Sequence, residues 1–249
     1  MFRQTPALVL REVRYNEADR ILTLLTKTDG LITARARGAL RKSSKIAAPT
    51  QQLVYSDMTL FGNKGKWLVN EAAVIEPFAG LREDIAALAL ASYFAQCIES
   101  FGVEDQPDAE LLQLGLNSLY ALSNGLYRFD HIKAAFELRL ACIAGYAPEV
   151  HSCAVCGKEP AEPCLSLRNG TVVCRACAGS VSGRVALLCE ESISAMRHIC
   201  TAPAKKIMSF KISDDALARL ARASEEFLLA RTERSFQSLD YYKRINRFN

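Results

Sequence analysis

The chain has 249 residues, half of them apolar and 23% charged, with nine cysteines and a formal net charge of +4. The apolar share excludes a disordered chain, and the length fits one large domain or two ordinary ones. No segment is apolar for long enough to span a bilayer: the longest, residues 85–98, is interrupted by Ser92, Tyr93 and Gln96.

The beginning reads Met-Phe-Arg-Gln-Thr-Pro, with charges soon after at Arg11, Glu12 and Arg14. It lacks the apolar run and small-residue cleavage site of a signal peptide. Residues 5–14 are rich in Leu and Val and predict a first strand, and residues 16–19 a turn. Residues 20–26 are a second apolar run. Lys27-Thr-Asp-Gly30 is a strong turn signal, because Asp-Gly tolerates the backbone a tight hairpin needs. Residues 31–37 alternate. Ile32, Ala34 and Ala36 fall on one face of a strand, and Thr33, Arg35 and Arg37 on the other. Residues 38–49 form a polar, basic loop, 51–61 a fourth strand, 62–65 a turn and 66–75 a fifth strand. Five short strands in this space predict a small closed or nearly closed barrel.

From residue 80 the period becomes helical. Residues 81–101 repeat apolar side chains at three- and four-residue spacing (Ile85, Leu88, Ala91, Ala95, Ile98). Further helices are expected at 107–122, 130–144, 190–200 and 213–234, the last with Ser213 as N-cap and Asp214 and Asp215 at the positive end of its dipole. There are no internal repeats and no low-complexity tract. The layout is a β unit followed by an α unit that carries an inserted cysteine module.

That module is the strongest motif. Cys153-Ala-Val-Cys156 and Cys174-Arg-Ala-Cys177 are separated by seventeen residues, the spacing of a zinc ribbon. Two thiolates in each tight turn close a tetrahedron around one Zn2+. Such a site has no open position, so the expected zinc is structural. A redox Cys-x-x-Cys would predict one pair beside a βαβ unit; here there are two pairs and no such unit. An odd cysteine count with four at metal spacing fits a reducing cytosol. Cys97 and Cys142 read as core residues of apolar helices, and Cys189 and Cys200 likewise, having no partner at metal spacing. Cys164 lies between the pairs but lacks a partner of its own. His151 reads as a neighbour of the module and not a ligand, and His131 and His198 sit on helices away from any nucleophile motif.

Charge is segregated. Residues 30–56 contain no acid but carry Arg35, Arg37, Arg41, Lys42 and Lys45, more positive charge than the net of the whole chain. Residues 68–127 hold nine acids against one base, Arg82, and the end turns basic again at Lys243, Arg244 and Arg247. A solvated loop needs no partner, but cations without interspersed acids beside a small barrel point to a polyanion, bound through counterion release. Tyr55, Phe61 and Trp67, on neighbouring strands, are candidates for base stacking. Lys64 and Lys66 flank the last hairpin turn and read as solubilising. No P-loop, Gly-x-Gly-x-x-Gly, His-Glu-x-x-His or Gly-x-Ser-x-Gly pattern is present, and no enzymatic activity is expected.

The stretch Ala18-Asp-Arg-Ile-Leu-Thr-Leu-Leu-Thr-Lys-Thr-Asp-Gly-Leu-Ile-Thr-Ala-Arg-Ala-Arg-Gly38 resembles the N-terminal signature of the DNA repair protein RecO family. So do Ala134-Ala-Phe-Glu-Leu-Arg-Leu140, the following Gly145-Tyr-Ala-Pro148 and Cys153-Ala-Val-Cys-Gly157, and Ser235-Phe-Gln-Ser-Leu-Asp240 resembles the family's C-terminal end. The resemblance implies an α+β protein: a five-stranded OB-fold barrel that binds nucleic acid at 1–79, then a helical domain at 80–249 with a zinc module at about 151–180. It implies binding of single- and double-stranded DNA and annealing of complementary strands. It also implies action with RecR to help RecA, indirectly, load onto DNA coated by single-strand-binding protein. Arg35, Arg37, Arg41, Lys42 and Lys45 match the family's basic motif, and Cys153, Cys156, Cys174 and Cys177 its zinc-bearing members. Leu40 stands where a further arginine or small polar residue is expected. The expected setting is the bacterial cytoplasm, at the nucleoid, with no membrane partner. Two other readings compete: a zinc-containing interaction adaptor that does not touch DNA, and a zinc-dependent hydrolase or deaminase.

Overall fold

The strands β1 (Phe2–Tyr15), β2 (Asp19–Thr26), β3 (Gly30–Ala36), β4 (Tyr55–Asn63) and β5 (Lys66–Glu76) close into a barrel in the order β1-β2-β3-β5-β4, sealed where β1 pairs with β4. The computed structural model describes residues 2–63 and 66–246; Lys64 and Gly65 of the expected turn and the basic Arg247 lie outside the described residues. β3 and β5 run parallel, through Ala34–Trp67 and Arg35–Leu68, and the other pairings are antiparallel. This is the expected five-stranded barrel of OB type.

Strand periodicity decides what fills it. Ile32, Ala34 and Ala36 of β3 point into the barrel with Ala7, Val9, Leu22, Leu24, Met58 and Leu60. The run Ala7-Leu-Val-Leu10 is buried throughout, because β1 is covered on both faces. Leu8 is on the outer side, within reach of Ile98 and Gly115. Gly30 adopts φ +65°, and a Cβ there would sit 2.1 Å from the carbonyl oxygen of Gln106. The Asp-Gly turn thus supplies both the left-handed backbone and the close approach that this corner needs.

The fourth strand begins later than its composition suggests. Residues 47–54 form turns, held by the Arg20 guanidinium on Ala47 O at 2.7 Å and Thr50 Oγ1 at 2.9 Å. Leu53 adopts φ +64°, and its N–H donates to Val9 O at 2.8 Å. Tertiary anchoring overrides the strand propensity of Leu53-Val54.

The chain forms two compact units. The first is Met1–Asn124 with Phe236–Asn249, and the second is Gly125–Ser235. In the first, α1 (Ile85–Phe101), α2 (Ala109–Ser123) and a closing helix, α6 (Gln237–Asn246), join the barrel. Asp84 caps α1 by accepting from the N–H groups of Ala86 and Ala87, and Asp108 caps α2 through Leu111 N–H. Phe236 packs edge-on to Tyr93 of α1 at 5.6 Å. The sequence boundary expected at residues 79 and 80 marks the change from strand to helix, whereas compactness follows packing. α6 is absent from the sequence expectation. Only Leu239 and Tyr242 of it are buried, too few to show a period.

The second unit contains α3 (Phe129–Ile143), α4 (Glu190–Thr201) and α5 (Asp214–Thr232), with α3 packed on both others, and a small antiparallel sheet. Its strands are β6 (Pro163–Ser166), β7 (Thr171–Cys174) and β8 (Val185–Leu187), in the order β7-β6-β8. Ser213 precedes α5 as expected, but its side chain makes no cap bond. Its backbone N–H donates instead to Glu191 Oε2 at 2.8 Å. Among the described residues, no helix is long and apolar enough to cross a membrane.

Candidate functional site

Two constellations stand out, one in each unit. In the first unit a groove of about 560 Å³ opens on the barrel, lined by Tyr15, Thr33, Arg35, Arg37, Lys66 and Trp67 among others. The outward period of β3 supplies Thr33 and Arg35, Arg37 follows one residue past its end, and the parallel partner β5 supplies Lys66 and Trp67. The indole of Trp67 lies across its pairing partner Gly62, where a Cβ would come within 2.8 Å of the ring. Arg3 stacks over the same ring, 5.5 Å from its centroid, and is ion-paired to Asp29.

The five cations expected from the sequence are not equivalent. Arg37, Arg41, Lys42 and Lys45 are exposed. Arg35 is half-buried and committed: its Nε and Nη2 donate to Asp19 Oδ2 at 2.9 and 2.5 Å, and its guanidinium lies over the Tyr15 ring at 4.9 Å. The other oxygen of Asp19 accepts from Gly38 N–H at 2.7 Å. That amide, first, and the Arg35 guanidinium, second, hold the Asp19 carboxyl below the ordinary carboxylate range. Asp19 therefore ties the end of β3 to the start of the basic loop, and Leu40 N–H donates to Ala18 O at 2.9 Å on the same edge. The loop presents its exposed cations from an anchored backbone.

Of the three aromatic candidates, Trp67 lines the groove, whereas Phe61 packs on Phe2 at 5.0 Å. Tyr55 is half-buried, and burial pushes its hydroxyl pKa up. Tyr15, a lone aromatic at a strand end, and Lys66, read as solubilising, line the groove without being singled out for binding by sequence. Neither belongs to a charge run or a periodic pattern.

In the second unit the four module cysteines converge. One sulfur from each of Cys153, Cys156, Cys174 and Cys177 lies within 4.8 Å of every other, and Cys156 and Cys174 are 3.8 Å apart. A tetrahedron with metal–sulfur bonds of about 2.3 Å has sulfur–sulfur edges of about 3.8 Å. The first pair lies in a tight turn in which Gly157 N–H donates to Cys153 O and Cys153 N–H to Lys158 O, both at 2.8 Å. Cys174 ends β7, and Cys177 follows in a short 3-10 helix, Arg175–Ser180.

Cys174 N–H also donates to Cys153 Sγ at 3.3 Å. Amide donors, led by that of Cys156, bring the Cys153 thiol down to about 6. Burial, followed by its Cys153 and Cys156 neighbours, pushes Cys177 up to about 12. Four such sulfurs cannot all be thiolates together without a cation between them, so the donor set fits a metal ion. With four sulfurs the coordination shell is closed, which leaves the ion no position for a substrate. Cys164 is buried on β6 with its thiol toward Glu162 O at 3.6 Å, and neither it nor His151 belongs to the cluster.

Comparison with known proteins covers nearly the whole chain. Residues 1–78 match the family model described as Recombination protein O N terminal, and residues 82–240 match Recombination protein O C terminal. Proteins named DNA repair protein RecO are among the relatives. That of Acetivibrio thermocellus is 34% identical over 247 residues, covering 99% of this chain and 98% of its own. That of Heliobacterium modesticaldum is 30% identical, covering 97% and 89%, and that of Alkaliphilus metalliredigens 29% identical, covering 98% and 100%.

Proposed function

The chain belongs to the RecO family of DNA repair proteins, and from that premise we propose that it is a non-catalytic recombination mediator that binds DNA on its barrel. The observation that carries this reading is the aromatic-and-basic groove beside a loop of exposed cations with no acid interspersed. In this mechanism Arg37, Arg41, Lys42 and Lys45 neutralise phosphates and release their counterions. Tyr15 and Trp67, each with an arginine (Arg35 and Arg3) already over its ring, are the aromatic side chains nearest to unpaired bases in the groove. Arg35, expected as a direct contact, acts by fixing the groove wall through Asp19. Screening two polyanions lets complementary strands approach and pair, so annealing of single strands and binding of duplex need no nucleotide hydrolysis.

The barrel, residues 1–79 in the sequence reading, is the proposed nucleic-acid domain, and residues 80–249 carry the module. Cys153, Cys156, Cys174 and Cys177 would hold one Zn2+, whose role is to fold its own lobe. RecR, single-strand-binding protein and, indirectly, RecA are the proposed protein partners, in the bacterial cytoplasm at the nucleoid. The competing adaptor reading, without DNA contact, predicts that the barrel surface is inert.

The test is a variant carrying Arg37→Glu, Arg41→Glu, Lys42→Glu and Lys45→Glu, assayed for single-strand binding and annealing. Its fold is followed by circular dichroism and its metal content by elemental analysis. Loss of binding with an intact fold is the expected result. Unchanged binding and annealing would leave the adaptor reading in its place.

A further inference from the structure

Four of the nine cysteines form the metal cluster; among the other five, one pair is assembled only by the fold. Cys142, in the last turn of α3, and Cys200, next to last in α4, are 58 positions apart in the chain, yet their sulfurs are 3.6 Å apart. The sequence reading treats both as separate core residues. The packing of α3 on α4 brings them together, and Arg139 locks the two helices at that point. Its Nη1 donates to Ile199 O at 3.3 Å and Cys200 O at 2.8 Å, satisfying carbonyls at the end of α4. Both residues are half-buried, whereas Cys97 is buried. Cys164 and Cys189, by contrast, are directed to Glu162 O and to the Ser192 hydroxyl.

We propose that Cys142 and Cys200 are a redox modification site, closing a reversible disulfide by exchange with a low-molecular-weight disulfide such as oxidised glutathione. Contact with the Cys200 thiol, assisted by the Arg139 cation, holds the Cys142 pKa below the ordinary cysteine range, whereas Cys200 is shifted upward. Cys142, one turn from the Arg139 cation on the same helix, is assigned as the attacking sulfur. Its thiolate attacks one sulfur of the small disulfide, expelling a small thiolate and forming a mixed disulfide. The Cys200 thiolate then attacks the Cys142 sulfur and expels the second small thiolate. In sum the protein gives up two electrons and two protons, and the small disulfide becomes two thiols. Closing the bond requires side-chain rotation that brings the sulfurs from 3.6 Å to about 2.05 Å. The bond would join the ends of α3 and α4 and enclose the whole metal module in one covalent loop.

The experiment equilibrates the metal-loaded protein with mixtures of reduced and oxidised glutathione, traps free thiols by alkylation and maps the peptides by mass spectrometry. Bound metal is measured in parallel with a colorimetric chelator. The expected result is a Cys142–Cys200 cross-linked peptide, with the loss of two hydrogens, full metal retention and reversal by dithiothreitol. A second arm uses Cys200→Ala, which should trap Cys142 as a mixed disulfide with glutathione. Alkylation of both Cys142 and Cys200 in excess oxidised glutathione overturns the proposal. So does cross-linking confined to the four module cysteines and accompanied by metal loss. The wild-type map decides the matter even where the variant folds poorly.

Discussion

Arg35 and Arg37 follow the same outward period, Arg37 one residue past the end of β3, but their environments assign them different work. Arg35 spends its hydrogen bonds on Asp19, whereas Arg37 is exposed. Arg37→Gln is expected to weaken single-strand binding several-fold with an unchanged melting temperature. Arg35→Gln should lower the melting temperature first, because it releases the Asp19 anchor of the basic loop; calorimetry alongside a binding titration separates the two. Period-two alternation made the shared face legible. It could not show that a carboxylate on the neighbouring strand takes one guanidinium, since that partner is supplied by cross-strand geometry. His131 is a second residue whose state is set by surroundings the sequence does not display. It is stacked between Tyr127 at 4.9 Å and Phe210 at 4.0 Å, with Nε2 2.9 Å from Met208 O. A carbonyl only accepts, so Nε2 carries the proton. Burial lowers its pKa below the usual histidine value. The unfolded chain therefore binds this proton more readily than the folded one. The stability that depends on neutral His131 is complete above about pH 6.5 and declines as the pH falls below that value. Denaturant midpoints should drop between about pH 7.5 and 5.5, and the drop should be smaller in His131→Phe.

At the scale of elements, α3 and α5 are joined by a buried charge cluster. Lys133 Nζ lies 2.8 Å from Glu137 and 2.7 Å from Glu225, with the lysine and Glu137 side chains 7% and 0% exposed. Burial opposes the lysine's charge, but its two carboxylate partners prevail, and its pKa is raised. Lys133→Met leaves two carboxylates facing each other without a cation. Breaking a buried pair in this way costs about 3–5 kcal/mol, read as a shift of the urea midpoint. The helices themselves were legible because their apolar residues recur at helical spacing; this cluster was not, because its third member comes from residue 225. The metal module was legible for the opposite reason, as its ligands are paired within tight local turns. Its small core joins the ligands Cys153, Cys174 and Cys177 to Cys164, Val173, Ala178, Val181 and Val185. Chelation is therefore expected to unfold the module, exposing amides of β6 and β7 to hydrogen exchange, while the amides of β1 to β5 keep their protection. A cobalt-substituted sample should give the absorption of a four-thiolate site.

At the scale of the whole molecule, affinity for a polyanion turns on where charge lies and not on how much there is. A net charge of +4 gives little long-range attraction for a polyanion. What matters is that Arg37, Arg41, Lys42 and Lys45 are exposed on one anchored loop beside the groove, in a segment without acids. Nearly all of that segregation can be read along the chain, because the loop is continuous in sequence. The groove cannot, because Tyr15, Arg35 and Trp67 come from three strands that only the barrel order β1-β2-β3-β5 places side by side. The number of open cations sets a measurable quantity. Each phosphate contact on a single strand contributes roughly −0.7 to the slope of log affinity against log salt, so four contacts give about −2.8, and a fifth from Arg35 would give about −3.5. A titration of labelled oligonucleotide across salt concentrations should return the shallower value. Arg35→Gln should then leave the slope near −2.8 even where it weakens binding by loosening the loop, whereas Arg41→Gln should make it shallower by about 0.7. If the two substitutions change the slope equally, Arg35 exchanges Asp19 for phosphate when DNA binds. If neither changes it, the strand runs elsewhere on the protein.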